Sequence, residues 1–559
     1  MNSITKRLLA GVAAAATLLS GMALTGSAMA ADTAINTADV TADQTLTVKA
    51  ADGVLAGKNL YAVKLASYSA AQTDGEYITG YDLADGGYAT AVDTALNEAG
   101  ISHATEYSAS NPMVWVVQHL LDSSTSPYSG QLRDFLTKLA NQQTIKGAFV
   151  DANKMIVAED GNTATKSVPA GIYAVFDVAA DTGDTVVSIP MLNGTTINGK
   201  TIAGKTLGEV DYKATNPTVD KKIVEGSERV DSNVAAIGDT ITYELTTTIP
   251  NYTGYDQGYY LALNDTLSKG LTFGQITSVK VEGVDTEYKD NATFYAKTDL
   301  SDVSSADIYN GGKSFSILFA PTAGTDGKQT SDITKQADLF PVGKRITVQY
   351  TATLNANAVI GQDNNQAGNP NKVNLTYSRN PNGTEQGTTE DHAVKTYTGA
   401  FTLHKVGPDN QALAGAHFSV TKGGETVKFI KNADDTVYTV DPNGSVTEVV
   451  TPVSGTVEIK GLNGEYAVKE TSSPLGATAL PAFTVTVTVS KNDGSYTVTN
   501  TRDANQLVSA AAGDTITVKN VRNLLEMPKT GATWLAIYAV MAVLCGAGAF
   551  LLLRSKKNA

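Results

Sequence analysis

Three textures of hydrophobic patterning succeed one another along the chain. Between residue 31 and about 212, helical and strand periods alternate. Asn111-Pro112 opens a segment whose Val114, Val117, Leu120 and Leu121 recur at helical spacing, with proline at the first helical position, where its missing N–H is not needed. A second helix is predicted where Leu132, Phe135, Leu136 and Leu139 fall on one face. Strand-like runs at Thr45–Val48, Leu60–Leu65 and Ile172–Val178 surround them, so this part reads as an α+β domain. From about 217 to 395 the texture becomes all-β: Val, Ile, Thr and Tyr alternate between turns of Gly, Asn and Asp, most clearly at Thr240–Thr248, Tyr259–Leu263, Ile346–Leu354 and Lys372–Tyr377. From about 399 to 523 the pattern returns in a shorter unit, and Gly238-Asp239-Thr240-Ile241-Thr242 is echoed by Gly513-Asp514-Thr515-Ile516-Thr517. The expected fold is mainly β, an α+β N-terminal domain followed by two immunoglobulin-like β-sandwiches. The division is 1–30, 31–212, 213–396, 397–523 and 524–559.

The two ends are different in kind. Lys6-Arg7, an apolar run from Leu8 to Leu24 and Ala28-Met29-Ala30 have the order of a secretory signal cleaved after Ala30. At the other end Met527-Pro528-Lys529-Thr530-Gly531 precedes the apolar stretch Trp534–Leu553 and the cations Arg554, Lys556 and Lys557. Such a stretch suffices for a hydrocarbon core of roughly 30 Å, and the terminal cations hold its end in the cytoplasm. Motif, span and basic tail together resemble the cell-wall sorting signal of Gram-positive bacteria, of LPXTG type with Met527 at the usual leucine. The resemblance implies that a sortase cysteine attacks the Thr530–Gly531 bond and passes the threonyl carbonyl to an amine.

Composition narrows the chemistry. The whole chain carries 56 acidic and 42 basic residues; removing the five cations of the two ends, which contain no acid, leaves 37 basic ones. No basic surface is available to displace phosphate counterions, which excludes nucleic acid as a partner. The single cysteine, Cys545, excludes disulfides and Cys-based metal or redox motifs, and five histidines leave little material for a metal cluster. No metal and no cofactor is expected. HExxH, nucleophile-elbow and paired-acid signatures are missing, so the chain does not read as an enzyme. An acidic, disulfide-free exported protein needs another source of ruggedness.

Alternation supplies a candidate. In Phe401-Thr402-Leu403-His404-Lys405-Val406, a period of two puts Lys405 on the apolar face with Phe401 and Leu403. Ile516, Val518 and Asn520 share a face, as do Tyr466, Val468 and Glu470. A lysine aimed at a core is costly unless it is paired or uncharged. Alternation alone leaves a hydrogen-bonded buried triad, or simple edge exposure, open. Lys405, Leu413-Ala414-Gly415-Ala416-x-Phe418, Glu470-Thr471-x-x-Pro474-x-Gly476 and Asn520 resemble a CnaB-type domain. That resemblance implies a self-formed Lys405–Asn520 isopeptide bond with Glu470 as the catalytic acid. Burial favours a neutral, nucleophilic amine and a protonated acid that polarises the amide carbonyl; ammonia leaves once.

The middle domain repeats the pattern. Val219, Lys221 and Ile223 alternate inward, with Lys222 outward; Leu261, Leu263 and Asp265 share a face; Asn371, Val373, Leu375 and Tyr377 form another. This is similar to the middle domain of fimbrial shaft pilins, where Asp replaces Glu. The resemblance implies a Lys221–Asn371 bond with Asp265 as the acid, Asn369 and Asn374 being the competing partners. In the first domain Lys64 and Asn193 have no convincing acid between them.

At the junction, Gly208-Glu209-Val210-Asp211-Tyr212-Lys213-Ala214-Thr215-Asn216-Pro217 stands where shaft pilins carry a Val-Tyr-Pro-Lys motif, without its proline. Lys213 is the expected acceptor of the sortase acyl group, with Lys205 and Lys222 as alternatives. The order of signal, α+β head, two sandwiches, junction lysine and sorting signal resembles the sortase-assembled backbone pilins of the SpaA/FimA type. It implies the repeating subunit of a covalent fimbria at the cell wall, Thr530 of one copy joined to Lys213 of another. The implied partners are sortase, other copies of the chain, tip and base pilins, and peptidoglycan. The alternative is a wall-anchored or tip adhesin, with no use for Lys213.

Overall fold

The computed structural model describes residues 33–527, except 35–36, 51–52, 104, 121–129, 180–184, 213, 215, 253, 285–291, 325–327, 362–367 and 477–478, together with 539 and 542–545. The export signal, Lys213, the Pro528–Gly531 part of the sorting motif and most of the apolar tail lie outside the described residues. Among those described, no helix is long and apolar enough to cross a membrane.

The first part is α+β. One sheet orders Thr33–Ala34, Leu60–Thr73, Gly171–Asp177 and Met191–Gly194, with Ile78–Asp85 also paired to the long Leu60–Thr73 strand. A second orders Ile156–Val157, Thr163–Pro169, Asp43–Lys49 and Glu209–Asp211. Helix Pro112–His119 begins on the expected proline, and Gln131–Asn141 buries Leu132, Phe135, Leu136 and Leu139. Gly130, at φ 118°, makes the turn into that second helix, a conformation closed to side-chain-bearing residues. A third helix, Ala89–Glu98, was not predicted; it buries only Ala91, Val92, Ala95 and Leu96, too small a stripe to stand out by periodicity.

The middle part is two facing sheets. The first orders Glu228–Val230, Val219–Glu225, Thr240–Thr248, Arg345–Leu354 and Leu271–Val281; the second runs through Ser232–Val234, His392–Tyr397, Asn369–Ser378, Leu261–Leu267, Lys313–Phe319 and Tyr295–Lys297. Thr240–Thr248 and Arg345–Leu354 pair over nine residues each, and every second residue of both points into the shared core. Burial of these β-branched and aromatic faces supplies the sheet-to-sheet adhesion.

The last part is a second sandwich. One sheet orders Phe429–Lys431, Val437–Val440, Thr456–Leu462, Gly399–Val406 and Thr515–Lys519; the other runs through Glu425–Thr426, His417–Lys422, Gly464–Ser472, Ala482–Val489 and Tyr496–Asn500. Its first strand, Gly399–Val406, pairs in parallel with its last, Thr515–Lys519. The two Gly-Asp-Thr-Ile-Thr segments both open strands, Thr240–Thr248 and Thr515–Lys519. The sandwiches pack end to end: Ile237 N–H donates to the Gly461 carbonyl at 2.9 Å, and their apolar residues form one continuous cluster.

Candidate functional site

In the middle part, strand alternation delivers three ionisable or amide groups to the same buried point. Lys221 comes from the first sheet; Asp265 and Asn371 come from neighbouring strands of the facing sheet, where Asp265 lies opposite Val373 and Leu267 opposite Asn371. All three are 0% exposed. Lys221 Nζ lies 2.5 Å from Asp265 Oδ2 and 2.8 Å from Asn371 Oδ1. The Tyr350 hydroxyl closes the cluster: it donates to Asp265 Oδ1 at 2.9 Å and accepts from Lys221 Nζ at 2.9 Å and from Asn371 Nδ2 at 2.6 Å. Lys221 Nζ also sits 5.1 Å above the Tyr243 ring. Phe273 and Phe315, each within 6 Å of the Tyr350 ring, complete a low-dielectric box.

Desolvation dominates there. It pushes the Lys221 ammonium down to about 8, although Asp265 pulls the other way. It raises the Asp265 carboxyl above its ordinary value against the opposing pull of Lys221. The shifts favour a neutral amine beside a neutral acid, which is what attack on an unactivated amide requires.

The competitors of Asn371 are engaged elsewhere. Asn369 bonds the backbone of Val359 and Thr396. Asn374 bonds Asn264 and Asp391 on the outer face. Lys222 faces outward to Asp231 at 2.6 Å. The Asn371 strand is followed by two more, Gln386–Thr388 and His392–Tyr397, and His392 Nδ1 accepts the Lys221 N–H at 2.7 Å. The pair thus brings the first strand of this sandwich, Val219–Glu225, against a strand short of its last.

In the last part Lys405 comes from the first strand, Asn520 from just past the end of the last strand paired with it, and Glu470 from the facing sheet. Lys405 and Glu470 are 0% exposed and Asn520 1%. Lys405 Nζ lies 3.2 Å and Asn520 Nδ2 3.0 Å from Glu470 Oε2. The Ser473 hydroxyl donates to Asn520 Oδ1 at 2.6 Å. Burial lowers Lys405 to about 8 and raises Glu470 above the usual carboxylate range.

Two participants escaped the sequence reading. Tyr350 lay on the inward face of a predicted strand, and a hydroxyl on that face was the signal. Ser473 lies just past a strand end, where alternation carries no information. The first part also holds a buried pair, at Lys58 and Asp177 rather than Lys64 and Asn193. Lys58 Nζ is 3.6 Å from Asp177 Oδ2, which accepts the Tyr212 hydroxyl at 2.5 Å. Lys64 is half-buried, and Asn193 bonds the Glu209 carbonyl. Among the described residues no group of three or more His, Cys, Asp or Glu side chains could hold a metal ion.

Residues 237–381 match the family model of a Gram-positive pilin backbone subunit 2, Cna-B-like domain, and 399–503 match a SpaA domain of prealbumin-like fold. Asp265, Asn371, Lys405 and Glu470 fall inside the matched ranges; Lys221 and Asn520 lie just outside them. The trypsin-resistant surface T6 protein of Streptococcus pyogenes serotype M6 is 24% identical over 317 residues, 53% of this chain and 51% of that protein. The chain thus matches about half the length of that relative. Among solved structures, the T6 backbone pilin of the same serotype has 15% identity and a TM-score of 0.48, over 86% of this chain and 93% of that one. The C-terminal fragment of the major pilin GBS80 of Streptococcus agalactiae has 18% identity and a TM-score of 0.36, over 55% of this chain and all of that one. The chain carries a domain of the Gram-positive pilin backbone Cna-B-like type at 237–381 and a SpaA-type domain of prealbumin-like fold at 399–503.

Proposed function

We propose that this chain is the repeating shaft subunit of a covalently polymerised surface pilus, hardened by two self-formed amide cross-links. The observation that carries the reading is the burial of a lysine, a carboxyl and an asparagine at one point in each pilin-type sandwich. A buried ion pair is a poor stabiliser by itself, since desolvation offsets most of its attraction. Two such sets, each with an amide in contact, are explained by a reaction. In each, the neutral lysine amine attacks the asparagine carbonyl carbon, the acid beside the amine relays its proton to the departing amide nitrogen, and ammonia leaves. No turnover follows.

Polymerisation would use Thr530 as acyl donor to sortase and Lys213 as acceptor, placing the mature chain in the cell wall, joined to other copies and finally to peptidoglycan. Support for the donor comes from the sorting motif and for the acceptor from its position between head and first sandwich. The test is a denaturing blot of wall-released material from native cells beside a Lys213→Ala strain. The expected result is a ladder that survives boiling in detergent and collapses to monomer in the variant. A monomer band in both strains rejects the shaft reading.

A further inference from the structure

The lysine strand of the middle sandwich has an open edge at the reacting residue. On one side Val219–Glu225 pairs with Thr240–Thr248, Lys221 lying opposite Leu245. On the other side Glu228–Val230 reaches only Ile223 to Glu225, and among the described residues no strand pairs with Lys221 there. An uncovered edge N–H is an unmet donor, and a strand paired on one side has fewer bonds to hold its register. Register matters at this position. A slip of one residue would turn Lys221 out to water and bring Lys222 in.

A side chain from the facing sheet closes the gap. The Lys221 backbone N–H donates to His392 Nδ1 at 2.7 Å. His392 opens the strand His392–Tyr397, which pairs with the asparagine strand: His392 lies opposite Val373, and Val394 opposite Asn371. One ring therefore ties the backbone of the nucleophile to the strand that flanks the electrophile. The His392 side chain is 36% exposed, at the rim of the sandwich rather than inside the buried box. Its Nδ1 accepts the Lys221 N–H only while it carries no proton. The same nitrogen lies 3.0 Å from Asp220 Oδ1, which it can engage only by donating, so the two contacts exclude one another.

Resting on the cross-link reading above, we propose that His392 is a positioning residue for the Lys221–Asn371 reaction, its bare Nδ1 clamping the register of the lysine strand. The clamp keeps Lys221 Nζ on the Asn371 carbonyl while the Nζ–Cγ bond forms, the Cγ–Nδ2 bond breaks and ammonia leaves. Asp220 competes for the clamping nitrogen.

Cell-free synthesis of the full-length chain, sampled over time and digested, tests this. The two cross-linked peptides are quantified by mass, each lighter by one ammonia than its separate parts. The Lys405–Asn520 peptide, from another domain of the same chain, is the internal clock. His392→Ala should slow the Lys221–Asn371 peptide roughly tenfold against that clock, the scale of a reacting group left out of place. His392→Phe, which fills the space without an acceptor, should be as slow. His392→Asn, whose amide oxygen can stand where Nδ1 stood, should restore most of the lost rate. Asp220→Ala, which removes the competitor, should react at least as fast as the unmodified chain. The clamp is overturned if His392→Phe keeps pace with the clock, if His392→Asn gives no rescue, or if Asp220→Ala is slowed as much as His392→Ala. Each of those outcomes leaves the cross-link reading intact. An unmodified chain that never forms the Lys221–Asn371 peptide overturns both.

Discussion

Lys405 and Asn520 converge on one oxygen: both donate to Glu470 Oε2, at 3.2 and 3.0 Å, Lys405 from the first strand and Asn520 from just past the end of its parallel neighbour. The acid therefore touches nucleophile and electrophile at once, the position from which it can relay the proton that the amine gives up. Glu470→Ala should leave the amide unmade, and the purified domain should be heavier by one ammonia in intact mass than the reacted form. A reacted mass in that variant would remove Glu470 from the mechanism.

Tyr350 and Ser473 occupy matching roles in different ways. Tyr350 bonds lysine, acid and asparagine together, whereas Ser473 donates only to the asparagine carbonyl. Each is expected to orient rather than to transfer. Tyr350→Phe and Ser473→Ala should still react to completion, but slower by roughly tenfold or more, the scale at which a fixed donor to a reacting carbonyl contributes. Time-resolved intact mass after refolding separates this from a structural role, because a merely structural variant would lower stability without slowing the reaction of the folded fraction.

The pH dependence follows from proton counting. The productive state, neutral amine with neutral acid, holds the same number of protons as the ion pair. Its population is therefore flat between the two ionisations. Below the raised pKa of Asp265 an extra proton locks Lys221 as ammonium; above about 8 the acid proton is lost. The rate of middle-domain cross-linking should form a plateau that falls on both sides, the upper limb near pH 8. A rate that keeps rising through pH 10 would mean that the free amine alone controls it.

Much of this site was legible because β-strands expose their faces through a period of two. Lys221, Asp265, Asn371, Lys405, Glu470 and Asn520 each sit on an apolar alternation, and each is buried. What alternation does not encode is which inward residues meet across the sandwich, since that depends on strand order and sheet stagger. Asn369 and Asn371 are both inward and buried, yet only Asn371 faces Lys221; Asn369 lies two residues further along and turns to backbone carbonyls. The first part was harder to read because its buried lysine, Lys58, precedes its strand in a Gly-Lys-Asn turn, where no periodicity operates.

Without the bond, the buried groups should make stability pH-dependent with a definite sign. In Asn371→Ala, Lys221 stays folded in an environment that holds its pKa near 8, whereas the unfolded chain takes up the proton below about 10.5. Between those values the unfolded state binds more protons, so unfolding free energy should rise as pH increases from 8 to 10.5. The linked protein has an amide in place of the amine and should show no such rise. Urea midpoints across that window measure it.

Where the cross-links fall decides which parts of the subunit feel tension. If load enters at Lys213 and leaves at Thr530, it passes from Lys221 across to Asn371, along the chain to Lys405, across to Asn520 and out. Residues 222–370 and 406–519 are bypassed, and residues 31–212 lie outside the path. Each proposed bond would close a loop of more than 100 residues, a constraint worth on the order of 4–5 kcal/mol by analogy with disulfides. For domains of this size that corresponds to roughly 10–25 °C in midpoint, so Asn520→Ala should melt lower by that amount. Under force the difference is larger in kind. Pulling an intact subunit should extend only the stretch from 371 to 405 and the two short ends. Asn371→Ala frees the 150-residue separation between the bonded positions, on the order of 50 nm of new contour length. A single-molecule record in which wild type and variant release the same length would show that the load runs by another route.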